Sequence, residues 1–184
     1  MALGCILVGT ACGHRAHRVP ADAVVVPGTS VEIELDGEWE EADWDHVAMR
    51  EVFTAHGTEA RPFSEIRMLH DNDTLYVTLY AADENVLSSE AFDLSIGTVS
   101  THVNPQGKLA PPIAGVKTGA DLDGTLDLEI DSDEEWVIEL AIPISAVGIS
   151  MDNAVPVHAA RCDVPRAGGR SCGAWDGTIV LGGS

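Results

Sequence analysis

The stretch "EIRMLHDNDTLYVTLYAA" (residues 65–82) sets the fold class of this 184-residue chain. Its second half, "TLYVTLYAA" (74–82), is rich in Tyr, Val, Thr and Leu, which is typical of β-strands. The polar residues "DND" between the two halves are a turn signal. Two strand-like runs joined by such a turn predict an antiparallel β-hairpin.

Further strand-like segments follow this hairpin and precede it, with turn residues between them. The predicted strands cover residues 30–35, 65–70, 74–82, 91–97, 98–104, 124–131, 134–142, 155–162 and 177–183. Helical character is confined to residues 40–55 and to a short turn at 144–148. About nine strands with so little helix predict an all-β fold. The expected architecture is an antiparallel β-sandwich of the jelly-roll or immunoglobulin-like kind with one short helical segment.

Strict alternation of apolar and polar residues explains most of the acidic residues. In "WVIELAI" (136–142), alternation places Trp136, Ile138, Leu140 and Ile142 on one face of a strand. In "TLDLEID" (125–131), the apolar residues point one way and the carboxylates the other. Most acidic residues are therefore expected on the solvent faces of half-buried strands.

The overall composition is that of one globular domain with an acidic surface. Hydrophobic residues make up 45% and charged residues 22% of the chain, but 30 acidic residues face only 10 basic ones, for a formal net charge of -20. Such a surface repels nucleic acid and anionic lipid, because phosphate binding requires clusters of Lys and Arg. It is compatible with neutral ligands, with cations or with high solubility. We expect residues 31–184 to form the single domain.

The first residues resemble a bacterial lipoprotein signal. "MALGCILVGTAC" (1–12) is an apolar run in which a small residue precedes Cys12, the position that is lipidated in such signals. We therefore expect an exported protein that is attached to the membrane only through a lipid on Cys12, with residues 13–30 as a tether. Cys5 is a second candidate, and the positively charged start of a signal is missing. The alternative is a buried first strand at 5–9.

The remaining two cysteines, Cys162 and Cys172, are expected to form a disulfide. The loop between them contains Pro165, Gly168 and Gly169, so the chain can turn back on itself there. A bridge over a loop this short contributes ~2–3 kcal/mol in the chain-entropy model. The zinc alternative needs four closely spaced ligands, and the chain has no CxxC pair. A disulfide agrees with export.

Four segments, taken in order, resemble the family 9 carbohydrate-binding modules and their wider relatives. The segments are "DGEWEEADW" (36–44), "IRMLHDNDTLYVTLYAADENV" (66–86), "FDLSIG" with "HVNPQGKL" (92–97 and 102–109) and "WVIELAIPISAVG" (136–148). The resemblance extends over roughly residues 31–181. It implies a β-sandwich that binds sugars without cleaving them.

The resemblance also implies roles for the two tryptophans of the acidic run that follows residue 35. Asp36 and Gly37 would form a turn at the end of a first strand. Trp44 would then plug one end of the sandwich, and burial of so large a ring would contribute much of the stability of a small domain. Trp39 takes a more variable position and is expected to be partly exposed.

The sugar site implied by the resemblance consists of two tryptophans that sandwich a terminal sugar, with a carboxylate, a basic residue and an amide beside them. Trp175 matches the second tryptophan, but no aromatic residue stands near Leu87, where the first should fall. Asp93 matches the carboxylate and His102 the basic residue. Arg161, on the neighbouring strand, is a further candidate for contact with the sugar.

The sequence thus predicts a non-catalytic, monomeric carbohydrate-binding domain at the cell surface or in the periplasm, with an oligo- or polysaccharide as its partner. No G-x-S-x-G, HExxH or phosphate-binding glycine loop favours an enzyme. The alternative is a surface-anchored scaffold or interaction domain that kept the fold but lost the sugar site. In that case Trp175 would pack against the bridge between Cys162 and Cys172.

No cofactor is required by this prediction, although structural calcium remains open. Related modules use calcium, and oxygen-rich turns occur at residues 71–73 and 120–127. The EF-hand pattern fails, because Gly119 and Ile130 stand at its first and last ligand positions. A haem-binding alternative would use Met68 or His70, but both point to the same face of one strand and an opposed ligand would be needed.

Overall fold

The computed structural model describes residues 19–128, 135–163 and 170–183, and the statements below concern these residues. Neither of the two described helices is long or apolar enough to cross a membrane. The elements are β1 (Val24–Val26), α1 (Ala42–His46), β2 (Met49–Val52), β3 (Thr54–Ala55), β4 (Thr58–Glu59), β5 (Ser64–His70), β6 (Thr74–Ala82), β7 (Phe92–Ile96), β8 (Val99–Val103), β9 (Leu109–Ala110), β10 (Lys117–Leu122), β11 (Glu135–Pro143), α2 (Ile144–Val147), β12 (Val155–Asp163) and β13 (Ser171–Leu181).

The described strands form two sheets. One sheet has eight strands, in the order β4-β3-β13-β12-β7-β8-β9, with β1 pairing in parallel with β13. The other has five strands, in the order β10-β11-β6-β5-β2. The remaining pairs are antiparallel. The predicted fold class, an all-β antiparallel sandwich, is confirmed.

The hairpin predicted at residues 65–82 is formed by β5 and β6, in which His70 pairs with Leu75. Asp71 closes the turn, because one of its carboxylate oxygens accepts N–H bonds from Asp73 at 2.9 Å and Thr74 at 2.7 Å. This local side-chain-to-backbone bonding is the reason why Asp favours such turns. The turn thus fixes the register of two of the three interior strands of the five-stranded sheet.

The core lies between the inner faces of the two sheets. The alternating residues of β11 face it as predicted, and all are at most 1% exposed: Trp136, Ile138, Leu140 and Ile142. Phe92, from the eight-stranded sheet, packs on Trp136 with ring centroids 4.8 Å apart. Burial of large apolar side chains of this kind stabilises a fold by ~1.5–3 kcal/mol each.

The segments predicted at 124–131 and 40–55 differ in the structure. Residues 124–128 of the predicted strand 124–131 form turns, and the rest of that segment lies outside the described residues. The edge strand is instead β10, at 117–122, which has little apolar alternation because both of its faces are largely exposed. The predicted helix at 40–55 shortens to the five residues of α1, and β2 and β3 follow it.

The folded domain begins before residue 31, so the predicted tether at 13–30 is too long. Val24–Val26 pairs with the last strand, and Val26 is fully buried in the core. Three consecutive β-branched valines favour this extended conformation. The signal and lipidation predictions for residues 1–12, including Cys12 and Cys5, fall outside the described residues.

The acidic run lies flat on the outer face of the five-stranded sheet. We call residues 31–47 the acidic strap. Trp44 and Ile33 are buried against Leu69 of β5, and Trp39 stacks on Tyr80 of β6 with centroids 5.2 Å apart. The two tryptophans therefore anchor an otherwise solvated segment to a sheet face, and Trp44 does not plug an end of the sandwich as predicted. The alternation at residues 30–35 buries Ile33 and leaves its neighbours exposed without forming a strand.

Two glycines allow the strap to approach β10 closely. A Cβ atom on Gly119 of β10 would lie 2.2 Å from the carbonyl carbon of Leu35 in the strap. Gly37 has a φ of 91°, and a Cβ atom there would lie 2.2 Å from the backbone nitrogen of Asp121. Backbone therefore packs on backbone at this junction, which only glycine permits.

Glu139 of β11 is fully buried beneath the strap. One of its oxygens accepts the N–H groups of Asp36 at 3.1 Å and Gly37 at 2.8 Å, while the other has no hydrogen-bond partner. Burial raises the pKa of Glu139 from 4.5 to about 7, and the charges of Glu41 and Asp36 act in the same direction. The two N–H bonds, which favour the ionised form, do not offset this rise.

A raised pKa in the folded state makes stability depend on pH. The stabilising contribution of neutral Glu139 is complete below about pH 4.5 and is lost as the pH rises through about 7. Between pH 5 and 8 we therefore expect the wild type to lose about 2–3 kcal/mol more unfolding free energy than Glu139→Gln, which keeps the shape and the acceptor oxygen. Urea unfolding of both proteins at the two pH values measures this difference. Parallel pH profiles would contradict the assignment.

Candidate functional site

A row of four residues crosses the outer face of the eight-stranded sheet. Asp93 on β7 lies opposite His102 on β8 and Ala160 on β12, and Ala160 in turn lies opposite Ala174 on β13. Directly opposed residues of antiparallel strands point to the same face. The neighbours of Asp93 along β7 are buried in the core, so the row faces outward. The two alanines leave open space beside the polar pair.

An open depression of about 610 Å³ lies next to the polar end of this row. Its walls offer a carboxylate, an imidazole, a guanidinium and a hydroxyl, and none of the nine aromatic residues of the chain lines it. The lining residues are Ser89, Glu90, Ala91, Asp93, His102, Cys162 and Arg170. Such a set can form directional hydrogen bonds to a polar ligand, but it provides no flat apolar platform.

Asp93 and His102 form a hydrogen-bonded pair in the wall of the depression. Nδ1 of His102 contacts Oδ1 of Asp93, and the two side chains are 59% (Asp93) and 64% (His102) exposed. The contact uses one ring nitrogen and one carboxylate oxygen, which leaves the other nitrogen and the other oxygen for a ligand. A second pair, His158 and Asp176, occurs on the same face at 2.7 Å but does not line the depression.

Trp175 lies on the other side of the sheet from Asp93 and His102. It pairs with buried Ala159, points to the inner face and packs, half-buried, against the core. Its six-membered ring also covers Gly177, where a Cβ atom would lie 2.3 Å from Cζ2. The predicted site of Trp175 with Asp93 and His102 is therefore not assembled, because Ala174, one residue earlier, takes the outward position.

Arg161 also points inward, and it is only 3% exposed. Its guanidinium contacts Asp83 through Nη2, lies 3.2 Å from Asp163 and donates through Nη1 to the carbonyl oxygen of Ala82 at 2.9 Å. These contacts hold Arg161 within the protein, so the predicted role of Arg161 in sugar contact is replaced by a buried ion-pair role.

The ion-pair cluster around Arg161 contains more acid than base. Asp83, Glu90 and Asp163 each bring an oxygen atom within 4.8 Å of the others, and all three are buried. Burial, a hydrogen bond from the protonated carboxyl group to Asp83 and the charge of Asp83 raise the pKa of Glu90 from 4.5 to about 8, although the positive charge of Arg161 acts in the opposite direction. Burial likewise raises the pKa of Asp163.

The predicted disulfide between Cys162 and Cys172 is present, with an S–S distance of 2.06 Å. The two cysteines are directly opposed on β12 and β13, on the outer face of the sheet. Cys162 lines the depression, so the bridge ties this part of its wall, on β12, to β13.

Asp71 and Asp127, in the two oxygen-rich turns, accept hydrogen bonds from within the protein. Asp71 closes the β5–β6 turn and accepts the hydroxyl of Tyr76 at 2.9 Å through its second oxygen. Asp127 accepts the N–H group of Ser88 at 2.8 Å and so links two loops. The described residues bring three carboxylates together elsewhere, in the cluster of Asp83, Glu90 and Asp163.

Sequence reasoning did not find Ser89, Glu90 or Arg170 as neighbours of Asp93 and His102. Ser89 and Glu90 belong to the loop that joins β6 to β7, and Arg170 directly precedes β13. Nothing in their local pattern distinguishes them from other polar loop residues. The acid that immediately precedes the alternating strand "AFDLSIG" is the one signal that could have drawn attention to Glu90.

No family model matches this chain, and no curated protein matches it either. Several solved structures, however, match the chain in fold. A family 9 carbohydrate-binding module from Caldicellulosiruptor kristjanssonii in complex with cellotriose is 15% identical with a TM-score of 0.64, over 88% of this chain and 94% of that one. A family 9 module from the same organism in complex with glucose is 15% identical with a TM-score of 0.61, over 88% of this chain and 97% of that one.

A third solved structure, a candidate carbohydrate-binding protein from Bacteroides uniformis, is 12% identical with a TM-score of 0.58, over 88% of this chain and 99% of that one. At such identities the similarity shows the fold alone. The chain therefore has a fold like that of the family 9 carbohydrate-binding modules, over nearly the whole length of each of these structures.

Proposed function

We propose that this protein is a non-catalytic carbohydrate-binding domain that holds a saccharide in the depression beside Asp93 and His102. The observation on which the proposal depends is the depression itself, a polar recess on the outer face of a sandwich whose structural neighbours were solved with glucose and cellotriose. Sugar hydroxyls are both donors and acceptors, so a recess that offers both kinds of group suits them.

Each polar group has a chemical role in this proposal. The carboxylate of Asp93 accepts hydrogen bonds from hydroxyl groups, and the guanidinium of Arg170 donates to their oxygens. His102 is held by Asp93 and presents its second ring nitrogen to the ligand. Ser89 supplies a hydroxyl to the lining of the depression. A charge-assisted hydrogen bond contributes about 1.5–3 kcal/mol, so two or three such bonds support weak, selective binding.

Stacking on an aromatic ring is not part of this proposal. Trp175, which the family resemblance implied, faces the core, and the other aromatic residues are also buried or half-buried. The loss of a stacking contact costs about 1–3 kcal/mol, by analogy with base stacking. Affinity should therefore be lower by about 5- to 150-fold than in a site with an otherwise equal set of hydrogen bonds and one stacked ring.

We expect Asp93→Ala to weaken saccharide binding by at least about 10-fold, because a charged hydrogen-bond acceptor is removed and His102 loses its positioning contact. Calorimetric titration with glucose, cellotriose and a panel of other oligosaccharides measures the affinity. Asp176→Ala is the matched control, since it breaks the other exposed His–Asp pair on the same face outside the depression. We expect less than a 2-fold change for it. An equal loss in both variants would contradict the site.

The second candidate function is a scaffold or interaction domain with the same fold and no sugar ligand. The absence of any fully exposed aromatic ring among the nine in the chain favours it. The titration separates the two functions, because a scaffold predicts no saturable heat with any saccharide while the wild-type domain remains folded.

Export remains a prediction, supported by the disulfide between Cys162 and Cys172, because such bridges persist in oxidising compartments. Attachment through a lipid on Cys12 and the monomeric state likewise remain predictions from the sequence. A cell-envelope location would bring the depression into contact with extracellular or periplasmic saccharides.

A further inference from the structure

The acidic strap leaves part of the outer face of the five-stranded sheet uncovered. It lies over Tyr80 and Glu139, which belong to two successive rows of that face. The next row crosses β6, β11 and β10 and consists of Tyr76, Ala141 and Lys117. These three residues point to the same side of the sheet, because each lies directly opposite the next.

A groove of about 180 Å³ lies along this row, next to the strap. Adjacent strands are about 4.8 Å apart, so the backbones of Tyr76 and Lys117 are separated by about 10 Å, with Ala141 between them. The small alanine therefore leaves room for one six-membered ring. Ile33 and Leu35 of the strap add apolar surface to the lining of the groove.

The groove has a positive end and a negative end. Lys117 is the only charged side chain among the described residues that line it, and it forms no ion pair with any carboxylate in the described part of the chain. With 30 acidic and 10 basic residues, a basic side chain without an acidic partner stands out. On the other side, the hydroxyl of Tyr76 donates to Asp71 at 2.9 Å. Burial, this hydrogen bond and the charges of Asp71 and Glu32 raise the pKa of Tyr76, so negative charge lies at that end.

A ligand that fits this arrangement carries a carboxylate at one end and a compact ring with an apolar face. Its carboxylate would accept charge-assisted hydrogen bonds from Lys117 and would lie away from Asp71. Because the groove is open, a wholly apolar acid would keep much of its surface in water, whereas the hydroxyl groups of a sugar acid remain hydrated there. The net charge of -20 acts over distances that salt screens beyond about 8 Å, but the contact with Lys117 is direct.

We propose that this groove binds a uronic acid residue of an acidic saccharide, with its carboxylate on Nζ of Lys117 and its ring over Ala141 beside Tyr76. The groove is a second site, on the sheet opposite the one that bears Asp93 and His102, and it does not depend on the function proposed for the depression. Sites on opposite outer faces would bring two saccharide chains to one domain.

Titration of the isotope-labelled full-length protein with glucuronate, followed by two-dimensional NMR, tests the proposal residue by residue. We expect saturable shifts at the amides of Lys117 and Ala141. Lys117→Met should weaken this binding by at least about 10-fold, because a charge-assisted hydrogen bond is lost. Glucose lacks the carboxylate and should bind the groove more weakly than glucuronate by a similar factor.

Lys108→Met is the matched control. The chain has only two lysines, and both substitutions change its net charge by one, but Lys108 does not line the groove. We expect less than about a 2-fold change for it. Ala141→Leu is the second variant, because it fills the space between Tyr76 and Lys117 without removing a charge. It should abolish the glucuronate shift at Lys117 while the rest of the spectrum remains that of the folded protein.

Several results would overturn the proposal. Absence of shifts at Lys117 and Ala141 would do so, as would shifts confined to Asp93 and His102, which would place glucuronate in the depression. Equal weakening by Lys108→Met and Lys117→Met would mean that only net charge matters. Equal binding of cyclohexanecarboxylate would assign the groove to apolar acids in place of saccharides. By contrast, the expected shifts at Lys117 with no response of Asp93 to any saccharide would support this site and contradict the function proposed for the depression.

Discussion

Arg161→Met should lower the free energy of unfolding by about 3–5 kcal/mol at neutral pH. Methionine keeps most of the volume of the side chain but removes the guanidinium, which is only 3% exposed and contacts two buried aspartates. The ionised carboxylates of the cluster would then be buried without any positive charge, and the folded state would have to protonate or expose them.

Arg61→Met is the matched control for this substitution. Arg61 pairs with Glu59 at 2.8 Å, but their side chains are 78% and 45% exposed, so the pair contributes at most about 1 kcal/mol. Denaturant unfolding at pH 7 compares the two variants with the wild type. If both variants lose a similarly small free energy, the cluster does not depend on the charge of Arg161, and its carboxyl groups must be neutral in the folded protein.

Trp44→Ala should cost about 3–5 kcal/mol and release the acidic strap from the five-stranded sheet. Trp44 is 2% exposed and packs with Ile33 and Leu69, so truncation leaves a cavity in the small cluster that holds the strap. Loss of this anchor exposes backbone groups of the strap to solvent. We therefore expect faster amide exchange at Asp36 and Gly37, whose N–H groups bond to Glu139.

Trp39→Ala is the matched control for Trp44→Ala, because both tryptophans lie in the acidic strap. Trp39 is half-buried, with its ring stacked on Tyr80 and a guanidinium carbon of Arg67 at 4.1 Å from its centroid. Truncation there should cost about 1–2 kcal/mol, because less surface is lost from the folded state and little cavity remains. Equal losses for the two tryptophans, or unchanged exchange in the strap of Trp44→Ala, would contradict the anchoring role of Trp44.

The elements that could be predicted from sequence are those in which a local pattern and the tertiary environment agree. The hairpin at residues 65–82 combines two strand-forming runs with an Asp turn, and β11 alternates strictly. Each pattern is therefore compatible with only one local structure. The disulfide also followed from local spacing, since the chain between Cys162 and Cys172 can turn back. The resemblance to family 9 modules rests on the same segments.

The acidic strap could not be predicted as a surface layer. The alternation at 30–35 is that of a half-buried strand, and apolar side chains on one side satisfy that pattern whether the backbone pairs with a strand or lies across a sheet. The two cases differ in which acceptors the backbone N–H groups bond to. The N–H groups of Asp36 and Gly37 bond to the buried side chain of Glu139, which is 103 and 102 residues away in sequence.

The candidate site also contains residues whose positions were predicted and residues whose positions were not. The family resemblance placed Asp93 and His102 in one site, and the structure sets them directly opposite each other on β7 and β8. Sequence reasoning failed for Trp175, which lies between small residues on both faces of its strand, so local alternation does not indicate which face is buried. It failed for Arg161 because a charged residue in an alternating strand is normally solvent-facing.

The sequence by itself thus determined the all-β class, the central strands, the disulfide and the two neighbouring strands that bear Asp93 and His102. Only the tertiary structure decided that Trp175 and Arg161 point inward, that the acidic strap covers a sheet, and that Asp83, Glu90 and Asp163 converge. The physical reason is that a strand pattern gives only the relative orientation of alternate residues. Which of the two faces is covered depends on register with strands, and on burial by segments, that are distant in sequence.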